Sequence, residues 1–173
     1  MRPKICGSTV KMSEPLTPKD LQAFMDQAGI AGEILILEVP TPTVEAAAQA
    51  VGVPPSQIVK SVLFTLPTES VLTISCGDQL VERRVIADLY GVGRKRVKLA
   101  TPEVVLQLTG YPVGTVPPFG HREQLRTLVD PRVLVWSEVF AGGGAHNALV
   151  QLYPQDILKV TKAEIVDLHT RPA

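Results

Sequence analysis

Apolar residues recur every three or four positions in some stretches of the chain and every second position in others, and these two periods separate helices from strands. In TPKDLQAFMDQAGI, the residues Leu21, Phe24, Met25 and Ala28 fall on one helical face. Thr17 supplies an N-cap, Pro18 suits the first helical position and Gly29 ends the run. The same grammar predicts a helix through TPTVEAAAQAVGV, with Thr43 as cap and Gly52 as stop. It returns in TPEVVLQLTG, where Thr101 caps, Pro102 starts and Gly110 stops. Asp78 is the candidate cap for a helix through RRVIADLYG that Gly91 terminates. YPQDILKVT predicts one or two helical turns.

Between these lie strands. EILILEV (33–39) is a short one. IVKSVLFTL (58–66) and SVLTISCG flank a PTES turn and, rich in β-branched residues, predict an antiparallel hairpin in a sheet core. EQLRTLVDPRVLVWSEVFAGGG predicts two short strands or a strand and a turn; HNALVQLY and AEIVDL add two more. No repeat or low-complexity linker interrupts the pattern. The expected architecture is one mixed α/β (α+β) domain over residues 15–173 with a largely antiparallel sheet, behind an N-terminal tail at 1–14. MRPKICGSTVKM has no periodicity, and Met12 is an alternative start.

A chain of 173 residues, 45% hydrophobic and 20% charged, can bury one substantial core. Lysine plus arginine equals aspartate plus glutamate at 17 each, so any contact with a polyanion must come from a local patch. Arg94, Lys95, Arg96 and Lys98 in GVGRKRVKLA form the best one, although such a cluster is more often a solvated face. No apolar stretch approaches the ~18–20 residues of a membrane span, and no secretory signal is visible. Two cysteines, Cys6 and Cys76, make a structural disulfide a poor expectation and a cytoplasmic location the default. Scattered histidines and cysteines give no metal site, and there is no G-x-S-x-G elbow or phosphate-loop motif. Cys76, at the end of an apolar strand without a base, is read as a buried free thiol.

Three features remain as candidate chemistry. TGYPVGTVPPFG (109–120) concentrates glycines and prolines in one loop, which suits fixing where backbone groups point. Lys60 faces the same way as Ile58, Val62 and Phe64, where it needs a cavity, a partner or a route to solvent. In AGGGAHNALV (141–150), three glycines before His146 could bring main-chain N–H groups close to a ligand oxygen; a hairpin turn with a surface histidine is the plain alternative. His121 and His169 are expected at the surface.

Taken in order, Lys60 in IVKSVLF, Gly77-Asp78, GYPVGTVPPFG and the glycine run resemble the YbaK/prolyl-tRNA synthetase editing-domain family, the aminoacyl-tRNA deacylases that include Cys-tRNA(Pro) and Ala-tRNA(Pro) hydrolases. The resemblance covers roughly residues 15–170. It implies a mixed domain around an antiparallel, barrel-like sheet, and hydrolysis of a mischarged aminoacyl-tRNA by a placed water with help from the ribose 2′-hydroxyl. No cofactor or metal is implied. Lys60 would contact substrate in the pocket, with Ser61 and Asp78 beside it. Gly114 to Pro118, through Thr115, Val116 and Pro117, would hold the terminal adenosine and the ester carbonyl, with Phe119 adjoining. Gly142, Gly143 and Gly144 would form the opposite wall, and either His146 or Asn147 the contact beyond it. The partners implied are the acceptor end of a tRNA and, for some members, prolyl-tRNA synthetase. A non-catalytic module that binds tRNA or a synthetase, or a site for another small acyl or nucleotide ligand, fits the same residues. Which amino acid is removed and the oligomeric state are left open.

Overall fold

The structure is a computed structural model that describes residues 14–169; most of the expected tail, with Cys6 and Met12, lies outside the described residues. Five helices and eight strands follow one another as α1 (Pro18–Ala28), β1 (Gly32–Ile36), α2 (Val44–Val51), β2 (Ile58–Thr65), β3 (Ser70–Cys76), α3 (Arg83–Tyr90), β4 (Lys98–Leu99), α4 (Pro102–Thr109), β5 (Arg126–Val129), β6 (Val139–Gly142), β7 (Ala148–Leu152), α5 (Pro154–Thr161) and β8 (Glu164–Ile165). The caps are those the local chemistry dictates. Asp20 accepts from the Thr17 amide at 2.7 Å, Thr43 Oγ1 accepts from Ala46 N at 3.0 Å, and Thr101 Oγ1 from Val104 N at 3.4 Å. Gly29, Gly52, Gly91 and Gly110 end their helices in the left-handed conformation. Asp78 is not a cap: α3 starts five residues later, and Glu82 accepts from Arg84 N.

The strands form one mixed sheet in the order β1-β7-β6-β2-β3-β5-β8, with β4 attached to β2. The β2–β3 hairpin is antiparallel throughout, from Val59 opposite Cys76 to Thr65 opposite Ser70. β1–β7, β6–β7 and β2–β4 are also antiparallel, whereas β2–β6, β3–β5 and β5–β8 are parallel. Apolar alternation sorts β2 as expected. Val59 and Leu63 enter the largest core cluster with Leu72, Val105 and Tyr111. On the other face, Ile58 packs with Val44 and Ala47 of α2, and Phe64 with Ile86 of α3. Lys60 stands between these two contacts.

Pairing along one side of β2 is interrupted. The edge away from β3 is shared by two partners: β6 pairs only with Ile58 and Val59, and β4 only with Phe64 and Thr65. From Lys60 to Leu63 that edge has no neighbouring strand among the described residues. The sheet is therefore slotted beside β2.

After β8 the chain is pinned by the fully buried Asp130. Its carboxylate accepts from Arg132 N at 2.9 Å, Arg132 Nη1 at 3.0 Å and Leu168 N at 2.9 Å. His169, expected at the surface, is instead tucked in, with Nδ1 on the Leu80 carbonyl and Nε2 3.6 Å from Asp130 Oδ2.

Candidate functional site

The slot opens into a cavity of about 400 Å³, a size suited to a small ligand. Its walls come from β2, the start of α2, β4, the 109–120 loop and the β6–β7 turn. Of the residues singled out in the sequence, Lys60, Ser61, Gly114, Val116, Gly142 and His146 line it. Three separate stretches of the chain thus meet around one space. Lys60 is exposed at the cavity and makes no ion pair among the described residues.

The loop is held rigidly. Gly114 takes φ +86°, a conformation that side chains resist, and a Cβ there would meet the His146 imidazole at 3.7 Å. Thr115 does not face the ligand space: its hydroxyl donates to the Pro112 carbonyl at 2.8 Å and it is almost wholly buried. Pro117, Pro118 and Phe119 form a buried brace behind the wall rather than lining it. Phe119 stacks on Phe24 of α1 at 5.6 Å. His121, also expected at the surface, is half-buried with Nε2 2.7 Å from the Pro117 carbonyl. Burial lowers its pKa, so the ring is a neutral donor at neutral pH.

The glycine run serves a different purpose from the one its spacing suggests. Gly143 N donates to Ala148 O at 3.0 Å and Gly144 N to Thr115 O at 2.9 Å, so neither amide is left for an anion. A Cβ on Gly142 would lie 2.6 Å from Val116 O and 2.9 Å from Thr115 O. The glycines let two stretches of this chain's own backbone close on each other. Gly143 and Gly144 form the back of the wall, and only Gly142 reaches the cavity. Asn147 donates to Leu37 O at 3.1 Å and turns away, whereas His146 reaches the lining. The amides of Gly114, Ala145 and His146 have no acceptor among the described residues, which leaves main-chain donors on this rim.

Asp78 is exposed in the turn after β3 and does not line the cavity. Arg94, Lys95 and Arg96 form an exposed 3₁₀ turn anchored by the buried Val97. Arg94 lies 3.8 Å from Glu82. Lys98 begins β4, and Leu99 and Ala100 next to it line the cavity, so the basic turn leads to the rim without being part of it. Reading the sequence missed Leu99, Thr41 and Val44 as wall residues. A strand of two residues has no period to detect, and Val44 reads simply as a helix-face residue.

Cys76 is buried beside Asp78 and Asp130, and desolvation first, then those carboxylates, push its thiol up to about 11. At pH 8 it is essentially all thiol. Native protein is therefore expected to resist iodoacetamide at this residue and to be labelled once unfolded; rapid native labelling would contradict the buried environment. Among the described residues, no cluster of three or more histidine, cysteine or acidic groups could hold a metal, and no helix is long and apolar enough to cross a membrane.

Comparison with known proteins accords with this geometry. The model of the aminoacyl-tRNA editing domain matches residues 38–160, a span that contains every wall of the cavity. The chain belongs to the aminoacyl-tRNA editing domain family. The uncharacterized protein YwhH of Bacillus subtilis is 25% identical over 148 residues, 85% of this chain and 92% of its own length. A proline–tRNA ligase of Thermotoga neapolitana is 41% identical over 111 residues, 57% of this chain but only 19% of the ligase. The chain thus spans about a fifth of that relative. A crystal structure described as a candidate trans-editing enzyme for prolyl tRNA synthetase superposes with a TM-score of 0.83 at 33% identity, covering 89% of this chain and 97% of that one.

Proposed function

We propose that this chain is a trans-editing aminoacyl-tRNA deacylase that clears mischarged tRNA of the proline set, with alanyl or cysteinyl esters as its substrates. The reading is carried by one observation: Lys60, Gly114 and His146 meet at a single cavity in a chain of the aminoacyl-tRNA editing family. An aminoacyl ester is already activated, so catalysis needs a placed water and donors for the developing oxyanion rather than a strong nucleophile. The unspent amides of Gly114, Ala145 and His146 suit the oxyanion, and the Lys60 ammonium adds positive charge at the mouth. Water oxygen adds to the ester carbonyl carbon, and the bond to the ribose 3′ oxygen breaks. The proton given up by water ends on that oxygen, with the neighbouring 2′-hydroxyl as its carrier. Free amino acid and tRNA leave.

Residues 15–173 would act as one editing domain, working in the cytoplasm beside prolyl-tRNA synthetase. The relatives named for proline–tRNA ligation and for editing support that association. The exposed turn Arg94–Arg96, continued by Lys98, would follow phosphates of the acceptor stem as it leaves the rim. A panel of mischarged tRNAs, scored for amino acid released with and without the protein, tests the reading. Release above the spontaneous rate for alanyl- or cysteinyl-tRNA(Pro), with prolyl-tRNA(Pro) spared, is expected. Binding without release for every member would overturn it in favour of a non-catalytic module.

A further inference from the structure

Resting on the deacylase reading, we propose that the bare edge of β2 grips the aminoacyl group as a one-residue strand. Ser61 C=O accepts from the substrate's α-ammonium, and Ser61 N–H donates to its ester carbonyl oxygen. The phase of the hairpin identifies Ser61. Gly77 N donates to Ile58 O at 2.6 Å, so even-numbered residues of β2 turn their main-chain groups toward β3. Ala100 N donates to Leu63 O at 2.9 Å across the opposite edge, which confirms that odd-numbered residues face the other way. Val59 is met there by β6 and Thr65 by β4. Ser61 lies between them, its N–H and C=O aimed into the slot, and the residues flanking that slot line the cavity.

Buried backbone groups require partners. In an antiparallel hydrogen-bonded pair, two residues exchange both N–H···O bonds through their own amide and carbonyl. An aminoacyl ester carries the matching donor and acceptor on either side of its Cα. Paired residues also project their side chains to the same face of a sheet. The substrate side chain would therefore point with Ser61 toward Leu72, Val105 and Val116, the apolar part of the wall. Ser61 Oγ is buried on that face and has no hydrogen-bond partner among the described residues, so an unmet polar group waits where the side chain would arrive. Lys60, on the opposite face, is left at the mouth.

The test compares alanyl-tRNA(Pro) with propionyl-tRNA(Pro), which keeps the ester and lacks only the α-amino group, each normalised to its spontaneous hydrolysis. The acceleration is expected to fall at least tenfold for the propionyl ester. On the protein side, an α-hydroxy acid at position 61 turns the main-chain N–H into an ester oxygen. That change is expected to lower kcat/KM about a hundredfold with only a small fall in Tm, since this N–H has no partner among the described residues and only the Lys60 carbonyl, now an ester facing β3, is a weaker acceptor. The same replacement at Val62, whose N–H is directed at β3, lowers Tm more. Equal acceleration of the two acyl groups, or full activity with the backbone ester at 61, overturns the contact while leaving the deacylase reading intact. Failure to hydrolyse alanyl- and cysteinyl-tRNA alike would sink the deacylase reading and this contact with it.

Discussion

Lys60→Ala is expected to fold and melt as the parent does while hydrolysing alanyl- or cysteinyl-tRNA(Pro) about a hundredfold to a thousandfold more slowly. The two halves of that expectation have separate causes. Lys60 is exposed and makes no ion pair among the described residues, and surface changes of that kind shift stability by about 0.5 kcal/mol or less. Its side chain is nevertheless the cationic one on β2 that lines the cavity, and the deacylase reading gives it the incoming carbonyl and phosphate oxygens. Single-turnover deacylation alongside a thermal melt separates the two. Parent-like hydrolysis by the variant would remove Lys60 from the chemistry, and a large fall in Tm would show that it packs rather than acts.

Gly142→Ala is expected to be strongly damaging for so small a change. The added methyl would sit 2.6 Å from Val116 O and 2.9 Å from Thr115 O, both main-chain atoms that cannot swing aside. Overpacking of this kind costs about 1–3 kcal/mol, and each kcal/mol lowers Tm by about 2–4 °C in a chain of this size. Deacylation should fall further than stability predicts, because the two walls of the cavity are forced apart. Gly114→Ala is the informative contrast: a Cβ there makes only ordinary contact with the His146 imidazole at 3.7 Å, so its cost is backbone strain, about 1–2 kcal/mol. If Gly142→Ala melts within a degree of the parent and turns over normally, the close packing of the two loops is not what shapes the site.

Much of the fold was legible because its signals are local. A threonine before a proline or an apolar run, and a glycine after it, set helix ends by hydrogen bonds within a few residues, and α1, α2 and α4 follow that rule. The hairpin of β2 and β3 was equally plain from its composition. What was hidden depends on contacts far apart in the chain. Nothing in Val139–Gly142 announces that it will lie parallel to β2, or that it will stop at Val59 and leave a slot. The glycines at 142–144 illustrate a different limit: their spacing announces a close approach of backbone, but not whether the visitor is a ligand or the chain itself. Asp78 read as the cap of α3, but the helix starts five residues later and Glu82 accepts from Arg84 N instead.

The bond from Gly144 N to Thr115 O couples the mechanics of the two loops. Because each loop is bolted to the other and the proline brace is anchored on α1, neither can yield separately when a larger acyl group arrives. Across the mouth, α2 packs on the sheet through Val44, Ala47 and Ala48 against Ile58, Phe140 and Leu149, and the give would come from there. On the deacylase reading, tolerance for bulk would then depend on how soft one short helix is, and stiffening it would narrow the range of esters admitted without touching a reacting atom.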